Sequence, residues 1–137
     1  MASLSAFLNP IIPDEQEVII SKRFIEDGKP VPFKIRPITQ EENNALIKQC
    51  TVTKKGARGT ERKLDTDKYS ASLVVAATVE PDFRNADLCK AFGTLDPLQV
   101  PAKMLLTGEY QRLADAILAL SDIGDSAEDE AEEEVKN

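Results

Sequence analysis

Histidine and tryptophan are both absent from this chain of 137 residues. Without an imidazole there is no Ser-His or Cys-His relay and no imidazole metal site. Aromatic residues make up only 5% of the chain, so its core has to be mainly aliphatic. Cysteine is limited to Cys50 and Cys89, far apart and each inside an apolar helical pattern. They read as buried free thiols, and their spacing is not that of metal ligands. No stretch approaches the roughly 20 apolar residues of a membrane span. The opening MASLSAFLNPIIPDEQ lacks the basic region and long apolar core of a signal peptide. The expectation is a soluble, cytoplasmic chain that does not work at a membrane.

Catalytic ingredients are equally thin. No glycine-rich phosphate loop is present; Gly56 and Gly59 lie among basic residues instead of between a strand and a helix. The carboxylate pairs Glu41/Glu42 and Asp65/Asp67 fall at expected helix N-termini, where negative charge is favourable without catalysis. We therefore expect no enzyme, no catalytic residue, no cofactor and no metal.

What the chain does have is an ordinary globular balance, 42% hydrophobic and 30% charged, with a net charge of −7. Past Gly124, seven acidic residues and Lys136 account for six of those seven net charges. The body is thus close to neutral, which argues against a dedicated nucleic-acid binder. The acidic tail, 125–137, has Val135 as its one large apolar residue and is expected to be disordered.

Residues 1–13 form a leader with apolar Phe7, Leu8, Ile11 and Ile12, in which Pro10 and Pro13 forbid a long helix. A β-hairpin is expected over 16–38. Val18, Ile19, Ile20, Phe24 and Ile25 give strand character to its first arm. In the second arm Val31, Phe33 and Ile35 alternate with Pro32, Lys34 and Arg36. Asp27-Gly28 marks the turn. Pro32 and Pro37 cannot donate to a ladder, so the second arm should be an edge or bulged at its ends. A two-stranded ribbon is marginal alone and must pack on helices or gain a strand.

Helices are expected within 40–121. Thr39 and Glu42 form a capping box ahead of a helix over about 40–51. Residues 53–63, TKKGARGTERK, contain two glycines, no large apolar residue and the basic Lys54, Lys55, Arg58, Arg62 and Lys63; they read as a flexible basic loop. Asp65 or Thr66 caps the next helix, about 67–80, which is apolar round most of its circumference and therefore central. Pro81 stops it. Short helices follow at about 85–92, with Gly93 just past the end, and from the Asp96-Pro97 cap, with Pro101 dividing that segment from Met104, Leu105 and Leu106. The last helix, about 108–121, is capped by Thr107 and ended by Gly124. The fold class is α+β: one domain over 14–124, an N-terminal hairpin followed by a bundle of four to five helices.

The segments ISKRF (20–24), DGKPVPFKIRPIT (27–39), QEENNALIKQCT (40–51), LDTDKYSASLVVAATVEPDFRNADLCKAFG (64–93) and MLLTGEYQRLADAILAL (104–120) resemble the XkdN-like tail assembly chaperones of bacteriophages and prophages. The resemblance implies a protein that acts in the bacterial host cytoplasm and is absent from the mature virion. It implies binding to the tail tape measure protein, keeping it soluble, and helping to recruit tail tube subunits. No catalytic residues carry over from it. The bottom-up candidates for partner contact are Phe7, Leu8, Ile11 and Ile12 of the leader, Lys34 and Arg36 on the outer hairpin face, and Lys54, Lys55, Arg58, Arg62 and Lys63. An exposed hairpin edge also invites self-association. The competing readings are a structural component of the tail or head–tail connector retained in the particle, and a small DNA-binding regulator, which the net charge disfavours.

Overall fold

The computed structural model describes residues 3–122. The expected disordered tail over 125–137 and the helix stop at Gly124 lie outside the described residues.

The first apolar arm does not run as one strand. β1 (Gln16–Val18) pairs antiparallel with β4 (Phe33–Ile35), with Val18 opposite Phe33. Between them, β2 (Ile25–Glu26) and β3 (Lys29–Pro30) close a separate small ladder. The turn is Asp27-Gly28, with φ of 52° and 78°, the left-handed conformation that Asp-Gly supplies. Residues 19–24 leave the ladder because their polar groups are used elsewhere. The Arg112 guanidinium donates to the Ile20 carbonyl at 3.0 Å, and the Ser21 hydroxyl accepts from the Arg23 amide at 3.0 Å.

β4 is a centre strand, so of the two expected alternatives, an edge or a bulged strand, the edge does not hold. Its free side takes β7 (Thr78–Glu80), giving a sheet of order β1-β4-β7 with a register shift between Lys34 and Ile35. Pro32 and Pro37 flank the three paired residues, so neither interrupts the ladder. β7 comes from the end of the expected helix over 67–80. That helix, α3, spans Thr66–Ala77 and stops three residues early. Thr78 and Val79 are β-branched, and Glu80 precedes Pro81, which disfavours helical geometry there.

α2 (Gln40–Cys50) begins at the expected capping box: the Thr39 hydroxyl accepts from the Glu42 amide at 3.2 Å, and Glu42 accepts from the Thr39 amide. Asp65 caps α3 by accepting from the Lys68 amide at 3.1 Å. α4 (Ala86–Ala91) is capped by Asn85, and Gly93 follows at φ 71°. Asp96 caps a 3-10 turn over Pro97–Gln99. Pro101 sits in the first turn of α5 (Val100–Met104), where its missing N–H costs nothing, so it opens that helix. α6 spans Thr107–Leu120, and its N-cap is Leu106, not Thr107. The capping function passes to Glu109, which accepts from the Leu106 amide at 2.8 Å.

α3 is central, as its apolar circumference implied, burying Ser72, Leu73, Val74, Val75 and Ala77 against the sheet and the later helices. A single core joins Phe33 and Ile35 of β4 to Val74, Phe83, Val100, Leu113 and Ile117. Cys50 and Cys89 are both buried free thiols, with the Cys50 sulfur 3.5 Å from the Ser72 hydroxyl. The N-terminal leader carries a short helix, α1 (Leu4–Leu8), with no buried residue.

The largest departure is at residues 53–63. They are not a loop: β5 (Thr51–Gly56) and β6 (Gly59–Leu64) form a fully paired antiparallel ribbon, from Thr51 opposite Leu64 to Gly56 opposite Gly59. Gly59 has φ of 114°, which lets the chain reverse at Ala57-Arg58. The ribbon makes no ladder with the three-stranded sheet. Only its first and last residues, Thr51 and Leu64, are even half-buried.

Candidate functional site

Two features stand out from this body without packing on it: the apolar leader and the basic ribbon. In the leader, Leu4, Phe7 and Leu8 of α1 and Ile11 and Ile12 just past it are all exposed, Ile11 to 98%. Apolar side chains of this size bring roughly 1.5–3 kcal/mol each when fully buried, which makes the leader a strong candidate for a contact completed by another surface. Ile11, Ile12 and Pro13 line a cleft of about 680 Å³ with Pro37, Ile38 and Leu120 at the end of α6.

In the ribbon, alternation sorts the charges onto two faces. Lys55 and Arg62 share one face with Thr53 and Thr60, and that face carries no acid. Arg58 stands at the tip. The other face carries Lys54 and Lys63, with Glu61 directly opposite Lys54. All five basic side chains are exposed, and none forms an ion pair among the described residues. The surface is thus a finger of net charge +4 held in a defined register, its charges pre-positioned where the expected loop would leave them mobile.

The two basic residues of the first hairpin have a different fate. Arg36 is engaged internally: its guanidinium donates to Glu42 at 2.7 and 3.1 Å, to the Ala76 carbonyl at 3.1 Å and to the Pro37 carbonyl at 3.3 Å. It thereby ties β4 to the cap of α2, and it pulls the Glu42 carboxyl below its usual range. The expectation of an outward partner contact at Arg36 gives way to this structural role. Lys34 points outward and lies 3.8 Å from Glu15, a half-exposed pair of small energetic weight.

Sequence reasoning missed the most buried ion pair. Glu109 is only 4% exposed, and Arg23 grips both of its carboxylate oxygens, through Nε at 2.9 Å and through Nη2, which also reaches the Met104 carbonyl at 3.1 Å. The Arg23 hydrogen bond, helped by Ser21 and the Leu106 amide and opposed by burial, lowers the Glu109 pKa to about 2. The partners lie 86 residues apart, so no local pattern announces them.

Beside Arg23 lies a mostly apolar cleft of about 600 Å³, lined by Phe24, Ile25, Val31, Phe33, Pro81 and Met104, with Glu26 and Glu80 also lining it. It offers neither a nucleophile paired with a base nor a phosphate cradle. Among the described residues no group of three or more His, Cys, Asp or Glu side chains could hold a metal, and no helix is long and apolar enough to cross a membrane.

The sequence and its architecture have counterparts. The family described as "Phage XkdN-like tail assembly chaperone protein" matches residues 4–136. The Phage-like element PBSX protein XkdN of Bacillus subtilis (strain 168) is 38% identical over 128 residues, which is 90% of this chain and 85% of that protein. The uncharacterized protein YqbN of the same strain matches with the same identity and coverage. A crystal structure of the protein YqbN superposes with a TM-score of 0.75 at 30% identity, covering 90% of this chain and 99% of that one. The chain belongs to the XkdN-like family of phage tail assembly chaperones.

Proposed function

We propose that this chain binds the tail tape measure protein in the host cytoplasm, keeps that partner soluble, and helps recruit tail tube subunits before leaving the assembling tail. The observation that carries the reading is the pairing of an unpacked apolar leader with a pre-ordered basic ribbon on an otherwise finished core. A tape measure protein is a long, partly apolar helical partner. Transient hold on such a partner needs one surface that buries apolar side chains and another that attracts charge. The leader supplies the first, with Phe7, Leu8, Ile11 and Ile12 as anchors. The ribbon supplies the second, steering acidic stretches through Lys54, Lys55, Arg58, Arg62 and Lys63. Nothing in this mode of action involves bond chemistry.

The test is co-expression with the tape measure protein of the same tail gene cluster, followed by affinity purification, sizing, and a protein inventory of purified tails. The expected result is a soluble complex, a tape measure protein that is insoluble alone, and tails without this chain. Finding the chain in purified tails with no soluble complex would assign it instead to the tail or head–tail connector as a structural part.

A further inference from the structure

We infer that the cationic face of the β5–β6 ribbon has a resident occupant, the chain's own acidic segment 125–137, which lies along it in the unbound protein and has to be displaced before an acidic partner can dock. Three observations carry this. The first is charge. The face formed by Lys55, Arg62, Thr53 and Thr60, with Arg58 at the tip, has no carboxylate, whereas the segment past Gly124 holds seven acids against one lysine.

The second is reach. α6 ends beside the start of α2: the Ser121 hydroxyl accepts from the Ile38 amide at 2.9 Å, and Thr39 caps α2. From there α2, 11 residues long, covers about 16 Å to the base of the ribbon. The six-residue strands add about 20 Å to its tip. The tip is therefore no more than about 36 Å along this path. The 15 residues after Asp122 span up to about 50 Å when extended, and the first acid comes at Asp125.

The third is the exclusion of a rival. Ribbon-to-ribbon pairing with a second copy would set two surfaces of net charge +4 against each other. The tethered segment, with seven acids against one lysine, meets a face of opposite charge at an effective concentration on the order of millimolar, so even a weak contact is well populated. Screening sets its range: the Debye length falls from about 10 Å at 0.1 M salt to about 3 Å at 1 M. This contact belongs to the isolated chain and holds whether or not the partner is a tape measure protein.

The experiment places a nitroxide label on Ala131→Cys, among the acids, in the full-length chain; Cys50 and Cys89 are buried and stay unlabelled. At 50 mM salt, the amide signals of Thr53, Lys55, Thr60 and Arg62 should lose at least half their intensity. They should recover at 1 M salt and in the Lys55→Glu/Arg62→Glu chain. A mixture of isotope-labelled chain without nitroxide and nitroxide-bearing chain without isotope should show no loss. Absence of broadening at low salt, or broadening centred on another surface, overturns the inference and leaves the ribbon to external partners alone. Broadening in the mixed sample overturns it in favour of a second copy as the occupant.

Discussion

The chain builds two β-hairpins by opposite routes. The first, β1 with β4, is held by what it buries. Phe33 and Ile35 are almost fully enclosed, and β7 completes the sheet on the far side. The second, β5 with β6, buries nothing along its length and owes its form to β-branched residues, a complete ladder and the turn at Gly59. A strand pair that contributes nothing to the core, yet carries five basic groups in register, is what the proposed docking role calls for. If the first hairpin serves stability and the second serves binding, as proposed, substitutions in the two should separate these effects.

The largest expected effect is in the first hairpin. Ile35→Ala removes a fully enclosed side chain and should cost about 2–5 kcal/mol in denaturant unfolding, while Val52→Ala in the ribbon stays within about 0.5 kcal/mol. Next comes the link between the 19–24 segment and α6. The Glu109 pKa of about 2 lies below its ordinary 4.5, so the stabilisation is complete above about pH 4.5 and is lost as pH falls through 2. Arg23→Ala should therefore lower the unfolding temperature most near neutral pH, with the gap to wild type closing between pH 4.5 and 2. A gap that stays constant across that window would mean the pair is not ionic.

A smaller, local effect is expected at Gly59. Its φ of 114° strains any side chain although space is open around it, so Gly59→Ala should cost about 1–3 kcal/mol of ribbon order. Hydrogen exchange should quicken at Thr53 to Arg62 while the global unfolding temperature is unchanged. Least of all should Lys55→Glu/Arg62→Glu alter stability, within about 0.5 kcal/mol, because both side chains are exposed.

The same contrast explains what was legible beforehand. Local chemistry was readable: the Thr39–Glu42 box, the Asp65 and Asp96 caps, Asp27-Gly28 and Gly93 all stand where their residue types place them. The central helix was readable from its apolar circumference. The ribbon was not, because strand reading relies on apolar alternation and every ribbon position between Thr51 and Leu64 is exposed. β7 was hidden because Val79 continues the apolar pattern of α3, while the β-branched Thr78 and Val79, the following Pro81 and the open side of β4 together draw the segment into the sheet. Arg36 looked like an outer basic residue by alternation, but its long side chain returns to Glu42. Arg23 and Glu109 meet only through tertiary packing. Of the candidate contacts, the leader and ribbon residues are exposed, while Arg36 belongs to the scaffold.

The most direct measurement is the affinity of the full-length chain for soluble tape measure protein segments across a salt series, comparing wild type with Lys55→Glu/Arg62→Glu. If the second hairpin exists for binding, charge reversal should weaken the complex at least about tenfold at 50 mM salt and flatten its salt dependence, with the unfolding temperature essentially unmoved. Equal affinity and an equal salt slope in the two chains would contradict the assignment of the ribbon as the charged docking surface.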